Sequence, residues 1–385
     1  MSYTKYLKYL DPRFAYDYSV FAKEFVDNLL SEGTRAACDD SVESFNNDGL
    51  PPFYDEDLFK RGQAFHHKHI FGMFLGSLLG LLADLSIKSA LAILSMTKQS
   101  SSDLSAYKRY MSTIFHVVVW YESEFKPGSR LWESVKMVKA KHNRASKKAM
   151  KVLNFGINQT DMILAQWGFM GLVVTRSKFL GIHDDDEEGW KSFIHVWRVL
   201  GYAFGIQDQF NICRESVAET RAICEEVLKR IMEPEVAEKD SRFILMSTYL
   251  LDGLWAMNPF LELTSFLFYL RTMFKNNLSS INEKNEEYRR LSKGAKFRVN
   301  FLVFLTSLMR FRLVRELMGY VKRHSLWLMK HFPCLAYYKF GKEHAHVDIL
   351  TMRLEHLSFD QKQASIETGK VKNFPVYQAH ALEVE

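Results

Sequence analysis

Apolar residues recur along much of this chain at the three- and four-residue steps of an α-helix. The clearest stretch is residues 128–155. There Leu131, Val135, Val138, His142, Ala145, Ala149 and Val152 alternate steps of four and three, so they share one helix face. Lys136, Lys139, Lys141, Arg144, Lys147, Lys148 and Lys151 occupy the other faces, with no acid after Glu133. The same spacing predicts helices over 18–30, 158–176, 189–206, 216–232, 241–274 with a break near Pro259, and 297–332. Residues 100–103 form an N-cap cluster that opens a helix to about 124. Turn residues place a loop at 38–52, an acidic loop at 182–188 and a polar linker at 278–294. Beyond residue 354 no periodicity is visible. The most hydrophobic region is 65–96. Its longest apolar run, 70–83, and a second at 301–309 fall short of the roughly 20 residues of a membrane span, and read as buried or interfacial helices.

Composition narrows this picture. The 385 residues hold only 8 prolines and 19 glycines, too few for an all-β chain with many turns, so the expected fold class is all-α. We expect a single helical catalytic domain over 1–275 and a C-terminal helical extension over 276–385 packed on the same core. The net charge of +6 is modest, so cations matter here by clustering. Four cysteines without a CxxC or CxxCH spacing argue for a reducing compartment and against covalent haem attachment. The first eighteen residues lack the apolar core of a signal peptide. An intracellular protein is expected, cytoplasmic or peripheral to the endoplasmic reticulum.

Three clusters carry candidate chemistry. His66, His67 and His69 are a short His-rich tract that could bind zinc, although no neighbouring cysteine or carboxylate completes a closed set. Gly76, Ser77, Gly80 and Ala83, just beyond, would let a flat ring or another helix approach closely. On the 100–124 helix, Arg109, Thr113, His116 and Trp120 follow at four, three and four, with Ser112 beside them. That stripe is either an exposed face or a polar pocket lining. His142 also admits two readings, an ordinary core histidine or a metal ligand. A helix that is apolar, imidazole-bearing and cationic offers a nitrogen for iron, hydrocarbon for a macrocycle and cations for propionates. The 182–188 loop lacks the spacing and glycine of an EF-hand, and no P-loop, GxGxxG, GxSxG or HExxH occurs. Finally, 297–332 mixes Arg310, Arg312, Arg315, Lys322, Arg323 and Lys330 with Phe, Leu, Met and Trp327. It is either a charged outer face on a core helix or a membrane-surface helix.

Four ordered segments add a resemblance. RYMST (109–113) and KMVKAKHNR around His142 resemble the bacterial rubber oxygenases, or latex-clearing proteins. INQTDMILAQWGFMGLVV (157–174) and HVWRVLGYAFGIQDQFN (195–211) resemble the related MpaB-type oxygenases. Together they cover roughly 60–215. The resemblance implies a globin-like multi-helix bundle around a non-covalent haem b, with His142 as the iron ligand and Arg109 and Thr113 in the distal pocket. Rubber oxygenases carry a lysine before that threonine; here Ser112 stands there, a poor iron ligand, so the sixth position is expected open or water-filled. Arg144 and Lys139 are the candidates for pairing haem propionates, by charge and position.

The expected function is a haem b-dependent oxidoreductase acting on a hydrophobic, unsaturated, lipid-like substrate. Either dioxygen cleaves a C=C bond, or a fatty-acid-type hydroperoxide is dehydrated or cleaved, with Arg109, Ser112 and Thr113 catalytic. A non-enzymatic helical protein that binds lipid or rests on a membrane surface is the alternative. Nucleic acid is not an expected partner, because no recognisable module accompanies the basic helix. The sequence leaves the oligomeric state open.

Overall fold

The computed structural model describes residues 12–38, 50–238 and 240–349. Among them no strand occurs, and the sole extended pairing is an isolated antiparallel bridge between Ala37 and Asn158. These residues are all-α, in line with the helical spacing. In chain order the helices are α1 (Pro12–Asn28), α2 (Glu56–Lys68), α3 (Ile70–Asp84), α4 (Lys88–Thr97), α5 (Asp103–Glu122) and α6 (Arg130–Leu153). Then come α7 (Gln159–Thr175), α8 (Glu187–Phe204), α9 (Val217–Val227), α10 (Glu233–Glu238), α11 (Ser241–Leu254) and α12 (Leu263–Phe274). The last are α13 (Glu286–Arg289), α14 (Lys293–Leu308), α15 (Arg312–His331), α16 (Cys334–Phe340) and α17 (Lys342–Ala345).

Local chemistry sets these ends. Ser102 and Ser105 close a capping box on α5, and Asn158 and Asp161 close another on α7, so both N-termini lose two orphan donors. α6 starts on Ser129, whose hydroxyl accepts from the Trp132 N–H, and stops at Asn154 in the left-handed region at φ 60°. Pro259 lies between α11 and α12, where a break was expected. The predicted 297–332 helix is instead two, α14 and α15, parted at 309–311. The loop expected at 38–52 falls largely, and the tail after 354 wholly, outside the described residues.

The core is organised by two close helix pairs, α3 with α7 and α2 with α8. A Cβ built at Gly80 would lie 1.9 Å from the Gly168 carbonyl oxygen, and one at Gly62 would lie 2.2 Å from that of Ser192. Backbone meets backbone at both crossings, so no side chain larger than hydrogen fits. The small residues of α3 therefore admit another helix rather than a flat ring. Ten of the fifteen residues of α3 and thirteen of the seventeen of α7 are buried, so this pair lies at the centre of the core. No single described helix is long and apolar enough to cross a membrane; α3 and α4 pass that test only as a pair bent by 90°.

The described residues up to 346 form one compact unit. It runs through the expected boundary at 275 without interruption. Residues 278–294 are not a linker: Tyr288 and Leu291 pack with Phe268, Ala295 and Val299 in a buried cluster. Polarity along that segment belongs to its outward side.

Candidate functional site

α5 and α6 pack side by side. The stripe read along α5 faces this seam. Ser134 of α6 binds two of its members: the Trp120 Nε1–H donates to Ser134 Oγ over 2.9 Å, and His116 Nδ1 lies 2.8 Å from the same oxygen. His116 Nε2 and the Ser112 hydroxyl are both buried without a hydrogen-bond partner. Of the two readings, an exposed face is therefore excluded.

His142 lies on α6, its ring centroid 6.1 Å from that of Phe204 on α8. Its Nδ1 is buried and unpartnered. Burial holds the imidazole down to about 4, and the positive charges of Arg109 and Lys141 push the same way. The ring is thus neutral at physiological pH, which leaves a lone pair for a metal. His116 is held neutral too, at about 3, by burial and then by Lys141. Arg109 is half-buried, and its Nη1 reaches Ser100 Oγ at 3.5 Å. Its charge acts on His142, on Lys141 and on Asp84 at the end of α3, so one guanidinium links three elements.

Two carboxyl groups on α3 and α7 complete the surroundings. Burial, reinforced by Asp161, raises Asp84 to about 7, with Arg109 opposing. Asp161 is also raised by burial, against hydrogen bonds from Ser89, at 2.6 Å, and from the Asn158 backbone. An acid poised near neutrality beside a fixed cation can give or take a proton at working pH. Asp84 directly follows the apolar run 70–83 and Asp161 belongs to the capping box of α7, so neither stands out by spacing. Nothing in either segment shows that α3 and α7 bring the two together.

The remaining candidates differ from expectation in detail. The Thr113 hydroxyl donates to the Arg109 carbonyl at 3.2 Å, so its proton serves its own helix and Ser112 is the freer hydroxyl. Arg144 is exposed, and its Nε donates to the Ala140 carbonyl at 3.3 Å. It stands two residues, and so over half a turn, away from His142. Lys139, assigned by spacing to an outer face, is buried, and Lys141 is the lysine whose charge reaches His142. The buried face of α6 is rotated from the apolar stripe: Leu131 and Val135 are buried, but Asn143 and Ser146 replace Val138 and Ala145, and Val152 is exposed. Ser146 Oγ accepts the Ile157 N–H at 2.9 Å, so the chain returning from α6 claims that side.

The histidine tract disperses. His66 stacks on Tyr121 with centroids 3.5 Å apart, His67 Nε2 meets the Tyr121 carbonyl at 3.0 Å and His69 Nε2 meets Asp184 at 2.8 Å. Among the described residues no three His, Cys, Asp or Glu side chains group as a metal site. A porphyrin carries four nitrogens of its own, so one imidazole suffices for iron held in that way. The seam offers a neutral imidazole with an unpartnered nitrogen, two cations, and two further unpartnered polar atoms, Ser112 Oγ and His116 Nε2. The two cavities described lie elsewhere, one of about 260 Å³ bordered by Tyr54, Phe59, Gln63 and Phe125, the other of about 10 Å³ beside His66 and Trp197. No family model, curated protein or solved structure matches the chain.

Proposed function

We propose that this protein is a haem b-dependent oxidoreductase whose substrate is a hydrophobic, unsaturated, lipid-like molecule. The observation that carries the reading is His142: a neutral imidazole with a buried, unpartnered nitrogen, in the field of a guanidinium from the facing helix. His142 would ligate iron, while Lys141 would offset a propionate. Haem, when bound, supplies the redox chemistry on oxygen.

The chain's own residues supply the rest. The Arg109 guanidinium stabilises negative charge developing on a peroxidic oxygen. The Ser112 hydroxyl, one residue before Thr113, is the donor free to hold that oxygen. The same set serves dioxygen-dependent cleavage of a C=C bond or dehydration and cleavage of a fatty-acid hydroperoxide.

An absorption spectrum of the purified protein, with His142→Ala alongside, tests this. The native protein should show a Soret band after haem titration, and the variant should lose it or shift it. A protein that takes up no haem, or a band unchanged by the substitution, overturns the assignment. Turnover of a lipid hydroperoxide without oxygen would select the second chemistry over the first.

A further inference from the structure

α15 turns its apolar side to solvent. Leu313, Leu317, Tyr320 and Trp327 follow at steps of four, three and seven, which keeps them on one face, and all are exposed, Leu313 to 81%. The opposite face seats Gly319, Lys322 and Met329 inside the protein. α14 repeats the pattern: Ala295, Val299, Leu302 and Thr306 are buried, while Phe297, Phe301 and Phe304 are exposed at steps of four and three. Monomeric surfaces rarely leave contiguous apolar stripes in water without a partner for them.

Charge identifies the partner. Residues 293–342 hold eleven Lys and Arg and a single acid, Glu316. Lys296 is tied to Glu283, Lys339 to Asp103, and Lys322 is buried. Arg310, Arg312, Arg323 and Lys330 are exposed beside the stripes. A second copy of this surface would bring like charges together. Anionic lipid instead offers phosphate to the cations and an interface for Phe, Tyr and Trp rings. We propose that α14 and α15 dock the protein on an anionic bilayer surface, lying in its plane rather than crossing it. This holds whether or not His142 binds haem.

Co-flotation of the full chain with vesicles tests the proposal, comparing phosphatidylcholine alone with phosphatidylcholine containing phosphatidylserine. Binding should require phosphatidylserine and fall steeply as sodium chloride rises from about 0.1 to about 0.5 M. The variant with Arg312→Gln and Arg323→Gln should partition roughly fivefold less for each cation removed. Leu313→Ser with Trp327→Ser should weaken binding at least about tenfold while circular dichroism and melting stay native. The charge variant keeps the test decisive should the apolar one misfold. Absence of flotation at every composition overturns the proposal. So does binding indifferent to both variants, or a concentration-dependent dimer in sedimentation that Leu313→Asp abolishes.

Discussion

α3 and α15 are both rich in large apolar residues, yet they meet opposite surroundings. α3 is covered on nearly every side, by α7 across a glycine contact and by α15 on another flank. α15 is covered on one side only, and that side is its poorer one, with Gly319 and a buried lysine. Lys322 Nζ lies 2.9 Å from the centre of the Phe74 ring and 3.7 Å from Met257 Sδ, and burial alone drives its pKa well below the usual lysine range. Lys322, read as one of the membrane-facing cations, is therefore part of the interior. The contrast teaches that apolar content does not say which way a helix faces. What decides is how many neighbours the fold supplies.

The contrast can be broken at its buried end first. Gly80→Val pushes a branched side chain into the Gly168 backbone, which cannot rotate away. The expected cost is about 3 kcal/mol or more, read as a large fall in thermal midpoint or failure to fold. A variant that melts within a degree or so of the native protein would mean the α3–α7 contact is looser than its geometry.

Asp84 sharpens the same region by pH. Its carboxyl pKa is raised in the fold from 3.8 to about 7, so the folded state holds the proton longer than the unfolded chain does. Ionising it within the fold is unfavourable, and stability falls as pH rises from about 4 to about 7, by at most about 4 kcal/mol. Asp84→Asn should remove that slope, leaving the variant the more stable protein at pH ~8 and the two nearly equal at pH ~4. Parallel urea melts of the two proteins over this range would refute the raised value.

The smallest effect is expected at the exposed end. Phe304→Ser on α14 should change folding stability by no more than about 0.5 kcal/mol in chemical denaturation, because little of the ring is withdrawn from water. A loss above about 2 kcal/mol would place Phe304 against something in the folded chain, and would count against an open face there.

Much of the helical architecture was legible in advance because its causes are local. Ser102, Ser129 and Asn158 cap helices from within a few residues of each start. Pro259 breaks the chain where a break was expected. The stripe of Arg109, Thr113, His116 and Trp120 was visible as a stripe for the same reason. Its environment was not: only Ser134, eighteen residues beyond His116 in sequence, shows that the stripe is internal. The split at 309–311 and the packing of Tyr288 and Leu291 escaped notice because neither leaves a strong local signal.

By itself the sequence determined most of the helices, several of their capped ends, the cationic C-terminal segment and the identity of the one histidine on the apolar stripe of α6. Periodicity and capping act over a turn or two, so a linear reading contains them. Tertiary structure alone decided that Arg109 acts on His142, that Asp84 and Asp161 share a buried neighbourhood, that Lys139 turns inward while Arg144 faces water, and that the aromatic rings of α14 and α15 face outward. Each of these depends on which helices become neighbours, and the electrostatic cost or gain of burial exists only once they have.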